Sequence, residues 1–359
     1  MSSATRRLPG SELHALRPST ATTATPATRR RRVVAVWRGW RFEFTEAKGY
    51  WHDVGMPLHH EARTLLDMME AIGAPPLDSQ PPAEARVARK ALAADPTEQC
   101  HEIVEIDAGG VPARLYRAAP TGTTPGLLVF IHGGGWVIGD LDSHDNVCRS
   151  LTNRSGLTVL SVDYRLAPED PFPAGLDDCS AATLWAYEHA DELGIDPTRI
   201  AIGGDSAGAN LAAVVCHETT VPLGFQLLIY PVVDVRMNTE SYDENGEGYF
   251  LTKSSMQWFT DHYLSGSEGT PDDPRVSPFL ASDEVLAAGP PALVITAGFD
   301  PLRDEGIAYA DRLSSVGVVV SHVHFSGQIH AFYSLPDQLG DARLAHALSA
   351  QALVAALGS

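Results

Sequence analysis

The chain has 359 residues, of which 44% are hydrophobic and 20% charged, and a formal net charge of −19. That length and apolar content supply one large core, or a core with a lid, so one main domain is expected. The acidic balance argues against nucleic acid and against stable association with a membrane, and no apolar run reaches the ~20 residues a spanning helix needs.

The first 55 residues differ from the rest. Residues 1–32 are rich in Ser, Thr, Ala, Pro and Arg and lack apolar periodicity, which reads as disorder. An Arg-rich, acid-poor start fits a transit peptide, an upstream start codon or an added leader. The arginine run 29–32 is not followed by a long apolar stretch, which argues against a secretion signal. Residues 33–55 are aromatic, and residues 1–55 together read as a partly disordered N-terminal extension.

A new texture begins at Met56. Leu65, Leu66, Met68, Met69 and Ile72 recur at helical spacing, and a second helix is expected in the stretch opened by Pro81 and Pro82. Residues 56–100 are therefore expected to form the first part of a helical cap. From residue 101 short apolar runs alternate with helical stretches. The runs are 101–107, 111–117, 126–132, 157–164, 199–204, 225–231, 292–297 and 318–325. The first two are close enough for a hairpin. The later ones are continuous and β-branched, as expected of strands buried on both faces of a parallel sheet. Helices are expected over 174–194, 207–219 and 342–357. The fold class is α/β, with a mostly parallel eight-stranded sheet flanked by helices. Residues 101–234 and 283–359 form its core. The polar, Gly- and Pro-containing interval 235–282 lacks a strand and is expected to be the second part of the cap.

Four cysteines, Cys100, Cys148, Cys179 and Cys216, form no C-x-x-C pair and match no zinc spacing. They read as free thiols in a reduced, cytoplasmic compartment, with no metal site.

Three signals carry chemistry. Gly204 to Gly208 reads GDSAG, after an expected strand and at the start of an expected helix. A serine nucleophile on a strained strand-to-helix turn needs small residues two positions to either side. His132 to Trp136 reads HGGGW at the end of an apolar strand. A glycine triplet lets backbone N–H groups approach a developing oxyanion, and Gly134, Gly135 and Ala207 are the expected donors. The acid and histidine should follow the serine in that order, each after a late strand. Asp300 follows 292–297, whereas Asp304 and Glu305 fall in the next helix. His330 lies beyond 318–325, whereas His322 and His324 lie within it and read as packing or surface residues.

With these residues in place the chain resembles the bacterial hormone-sensitive-lipase family of α/β-hydrolase esterases, in its GDSAG branch. HGGGW, YRLAPE (Tyr164 to Glu169), GDSAG, DPLRDE (Asp300 to Glu305) and IHAF (Ile329 to Phe332) appear in the family's order and rough spacing. The resemblance runs from about Met56, where such chains typically begin, to the end. Gln328 and Ala331 depart from the common Met and Gly. The resemblance implies a serine carboxylesterase acting on short- to medium-chain acyl esters, with a small-molecule ester as partner and no cofactor, in a family where homodimers are common. Ser206 is the expected nucleophile, His330 the base and Asp300 its orienter. Met68, Met69, Tyr249, Phe250, Met256, Trp258 and Phe259 are candidates to line an acyl or alcohol pocket. A lactone, amide or carbamate hydrolase, or a lipase, on the same triad is the alternative. A non-catalytic binding protein on the same scaffold is more remote, because Ser206, Asp300 and His330 are all present.

Overall fold

The computed structural model describes residues 32–37, 40–45 and 57–358, apart from 74, 92–95 and 97. The chain divides into two units, Met1–Gly55 and Met56–Ser359. In the first, strands β1 (Arg32–Trp37) and β2 (Trp40–Thr45) pair antiparallel, with Trp37 opposite Trp40. The expectation of disorder in residues 1–32 falls almost wholly outside the described residues.

The second unit opens with helices α1 (His60–Ala71) and α2 (Pro82–Ala91). The sheet strands follow as β3 (Glu102–Asp107), β4 (Pro112–Arg117), β5 (Leu127–Ile131), β6 (Thr158–Val162), β7 (Ile200–Asp205), β8 (Leu223–Ile229), β9 (Ala292–Phe299) and β10 (Val320–Ile329). Helices α3 (Asp145–Ser155), α4 (Ala174–Glu188), α5 (Ala190–Leu193), α6 (Ala207–Glu218), α7 (Ser241–Glu244), α8 (Lys253–Leu264), α9 (Asp283–Ala287), α10 (Arg303–Ser315) and α11 (Asp341–Leu357) fall between and after them. The eight strands lie in the order β10-β9-β8-β7-β5-β6-β4-β3. β3 and β4 form the expected hairpin, β4 is antiparallel to β6, and the other neighbours are parallel.

Every residue of β5 and β6 is buried, and the side chains alternate between two apolar layers. Leu127, Val129 and Ile131 face one layer with residues of α4, α6 and α10. Leu128 and Phe130 face the other with residues of α3 and α11. A strand covered on both sides cannot show polar alternation, so these segments read as unbroken apolar runs.

Arg86 makes the most extensive of the contacts that fasten α2 to the sheet's loops. Arg86 donates from Nε to the Val137 carbonyl at 2.8 Å and from Nη2 to the Ala167 carbonyl at 2.9 Å. It also holds Glu169 through two bonds of 2.9 and 2.6 Å. Such a forked contact fixes orientation as well as distance. On the other segment, Thr252 caps α8 by accepting from the Ser255 amide, and Met256, Phe259 and Tyr263 turn inward. Among the described residues no helix is long and apolar enough to cross a membrane, and all four cysteines are free.

Gly208 tests how tightly this core is drawn. Replacing a helical glycine by alanine normally stabilises by about 1 kcal/mol. A Cβ here would strike the Ile131 carbonyl and lie 2.6 Å from the His132 oxygen, both rigid backbone. Overpacking of this kind costs about 1–3 kcal/mol, so Gly208→Ala is expected to lower the urea midpoint. A midpoint raised by the substitution would contradict this packing.

Candidate active site

β7 ends at Asp205 and α6 begins at Ala207, leaving Ser206 alone at the turn. Its backbone has φ 55° and ψ −119°, a conformation costly for a residue with a Cβ. Hydrogen bonds hold it there. The Ser206 amide donates to the Ile229 carbonyl at 2.8 Å, and its carbonyl accepts from Asn210 at 3.1 Å. Cβ atoms at Gly204 or Gly208 would collide with the end of β5. This is the physical reason for glycine at both positions, since the turn is pressed against the neighbouring strand.

Asp300 follows β9 and is fully buried. Its Oδ1 accepts from the Leu302 amide at 2.8 Å, and its Oδ2 lies 2.7 Å from His330 Nδ1. A carboxylate only accepts, so Nδ1 carries the proton and Nε2 is free to accept. Nε2 lies 2.9 Å from Ser206 Oγ. The three side chains thus form a continuous hydrogen-bonded chain in which Ser206 and His330 are 8% and 5% exposed. His330 is reached by a longer β10 than the sequence indicates. The strand continues past 325 to Ile329, with its register shifting between Phe325 and Ile329, so His330 directly follows the strand. Ala331 then adopts φ 67°, the left-handed region.

The glycine triplet leaves β5 with Gly134 at φ 124° and Gly135 at φ 58°. Among the described residues neither the Gly134 nor the Gly135 amide donates to a protein acceptor. Ala207 is the first residue of α6, where an amide has no partner inside the helix. Trp136, also at positive φ, stacks on Tyr263 of α8 with centroids 4.3 Å apart and planes 6° from parallel. A Cβ on Gly135 would enter the Phe259 ring of the same helix.

Other histidines and acids fall elsewhere. His322 and His324 both meet the Thr296 hydroxyl, at 2.8 and 2.9 Å. His132 stacks on Tyr164 with centroids 4.4 Å apart, and burial holds its ring neutral, with a pKa of about 4. Asp304 accepts from the Ser241 amide at 2.8 Å. Glu305 is buried and accepts from the Val233 and Asp234 amides at 2.8 and 3.3 Å. Sequence reasoning gave no role to Asn245, yet it donates to the Gly298 and Asp300 carbonyls at 3.3 Å each and so grips the acid's loop. Asp205 was equally without a role. It accepts the Gly133 amide at 2.8 Å and the Tyr230 hydroxyl at 3.2 Å.

Of the candidate lining residues, Met256 and Phe259 are buried, whereas Met68 is 60% exposed. A cleft of about 500 Å³ opens beside α2 and is lined by Arg86, Arg89, Lys90, Asp140, Asp163 and Glu169. Its charges are largely paired, and none of the three residues Ser206, Asp300 and His330 lines it.

A family model described as alpha/beta hydrolase fold matches residues 128–334. A carboxylic ester hydrolase of Mycobacterium tuberculosis, LipN, is 48% identical over 237 residues, covering 64% of this chain and 62% of that protein. An ethyl acetate hydrolase of Pseudomonas putida is 39% identical over 235 residues, covering 63% of this chain and 72% of that one. Among solved structures, an ester-hydrolase from the metagenome of Lake Arreo superimposes with a TM-score of 0.79 at 42% identity, covering 84% of this chain and 100% of its own.

Burial pushes the Glu305 carboxyl well above its ordinary value of 4.5. The folded chain therefore keeps a proton that the unfolded chain releases, and this group's contribution to stability falls as pH rises past the unfolded value. Glu305→Gln retains the acceptor for Val233 and Asp234 without that penalty. The variant is expected to melt like the wild type near pH 4 and above it at pH 8, by a margin that grows with pH. A margin independent of pH would rule out the shift.

Proposed function

The chain belongs to the α/β-hydrolase family, among the esterases related to hormone-sensitive lipase, and on that premise we propose that it hydrolyses carboxylic esters through Ser206, His330 and Asp300. The observation that carries this reading is the chain Ser206 Oγ–His330 Nε2–His330 Nδ1–Asp300 Oδ2, at 2.9 and 2.7 Å.

The tautomer set by Asp300 leaves Nε2 to take the serine proton as Oγ attacks the ester carbonyl. Asp300 then faces the imidazolium that forms and stabilises it. The carbonyl oxygen becomes an anion, and the amides of Gly134, Gly135 and Ala207 are its donors. Losing one donor of this kind costs about 10²–10³ in kcat. The tetrahedral intermediate collapses as His330 returns the proton to the departing alcohol. Water, activated by the same His330, releases the acid from Ser206.

Residues 56–100 and 235–282 form the cap in this reading. The packing of Phe259 over Gly135 supports it for the second segment, and the hold of Arg86 on Val137 supports it for the first. Short- to medium-chain acyl esters are the proposed substrates. The ethyl acetate hydrolase among the relatives supports the short end of that range. Four free cysteines support a reducing, cytoplasmic compartment.

Hydrolysis of p-nitrophenyl esters from acetate to palmitate, by wild type and Ser206→Ala side by side, tests the reading. Turnover is expected to peak at acyl chains of intermediate or short length. The mutant should lose about 10⁴-fold or more in kcat with an unchanged melting curve. Near-normal turnover by Ser206→Ala would overturn the assignment.

A further inference from the structure

Asp205 sits beside the proposed nucleophile, and its side chain meets three other residues around the site, Gly133, His144 and Tyr230. Its Oδ1 accepts from the Gly133 amide at 2.8 Å and lies 3.0 Å from His144 Nε2 at the start of α3. Its Oδ2 accepts from the Tyr230 hydroxyl at 3.2 Å. Gly133 is the residue immediately before the proposed oxyanion donors, and a Cβ on it would come within 2.6 Å of the Asp205 carboxylate. Tyr230 lies just beyond β8, and its ring centroid is 4.6 Å from that of His330. One carboxylate therefore touches the oxyanion loop on one side and the residue bracing the general base on the other.

Burial works against ionisation of this group, but nearby His144, the Arg89 guanidinium and the Gly133 amide more than offset it and hold the carboxyl at about 2. A buried anion close to a developing oxyanion would oppose that charge, so electrostatic stabilisation of the tetrahedral intermediate is not what it offers. What an ionised carboxylate does offer is two strong, directional acceptor positions. The Gly133 peptide is turned so that its N–H meets Oδ1, and the glycines after it lack side chains that could fix their own orientation.

We propose that Asp205 is a positioning residue that sets the Gly134–Gly135 amides and the His330 ring in register with Ser206. The proposal rests on the esterase reading. It differs from a purely structural role, in which Asp205 would govern how much protein folds but not how fast each folded site turns over.

The experiment counts sites before rates. A p-nitrophenyl alkylphosphonate titrates reactive serine in wild type, Asp205→Ala, Asp205→Asn and Tyr230→Phe. kcat and KM are then expressed per titrated site, and a trifluoromethyl ketone, which mimics the tetrahedral adduct, reports complementarity to the transition state. Asp205→Ala is expected to lose roughly 10²-fold in kcat per site with KM little changed, and to lose ketone affinity in parallel. Asp205→Asn keeps an acceptor for Gly133 and should recover most of that loss. Tyr230→Phe, a milder change that stands in should Asp205→Ala not fold, should lose about three- to tenfold. Wild-type kcat per titrated site in the soluble variants, with only the titratable fraction reduced, would overturn the positioning role. Failure of the phosphonate to label wild-type Ser206 would overturn the esterase reading and this proposal together.

Discussion

The site depends on one contact between backbones: the turn carrying Ser206 is pressed against the end of β5. The serine's φ of 55° is unfavourable by itself. It persists because β8 receives the serine amide, α6 begins at once, and Gly204 and Gly208 leave no Cβ between turn and strand. Because β5 is the strand beneath the turn, the loop leaving β5 emerges beside the nucleophile. The closeness of the glycine triplet to Ser206 is thus a consequence of strand order, β7 lying next to β5. The serine and the triplet are not independent motifs.

The same logic places the other partners. In a parallel sheet the C-terminal ends of the strands share an edge, and groups from distant sequence meet there. Asp300 leaves β9 and His330 leaves β10, and these strands are parallel neighbours. Only short extensions are then needed to join them at 2.7 Å. Burial adds the rest. With Asp300 fully enclosed, its charge is screened little by water, and a hydrogen bond to His330 is the stronger for it.

Much of this was legible in the sequence because the signals are local. GDSAG between an apolar run and a helix, and a triplet of glycines after another run, each describe a backbone shape that few other residues permit. Elements whose cause is long-range were harder to read. α3 (Asp145–Ser155) carries many polar residues, and its buried Asp145 is held by Tyr116 at 2.8 Å and Arg149 at 2.6 Å, partners 29 positions back and four ahead. Its apolar face is only Val147, Cys148 and Leu151, a stripe too short to stand out among so many polar residues. β10 runs beyond its apolar pattern because Ser326 to Gln328, just before its end at Ile329, are polar or glycine and the register shifts there. Ala331 shows the converse. The family resemblance leads one to expect glycine at that place, and φ 67° gives the physical reason, since an alanine there carries strain of about 1–2 kcal/mol. The roles of Asp205 and Asn245 lay in contacts that no spacing rule describes.

The oxyanion loop is held from two sides, and this joins specificity to rate. Below it, Asp205 accepts the Gly133 amide. Above it, α8 sets Phe259 against Gly135 and Tyr263 against Trp136, while Arg86 of α2 takes the Val137 carbonyl. Both helices lie in the segments proposed as cap, where side chains that select an ester would reside. A substitution there that moves α8 by a few tenths of an ångström displaces the ring resting on Gly135. The amide beside that ring is a proposed donor whose usefulness depends on a position about 3 Å from the oxygen. In a site built this way, a change that enlarges the pocket also alters the oxyanion geometry. Substrate range and turnover are therefore expected to vary together along the α8 face, and separately only at cap positions that do not touch residues 133–137.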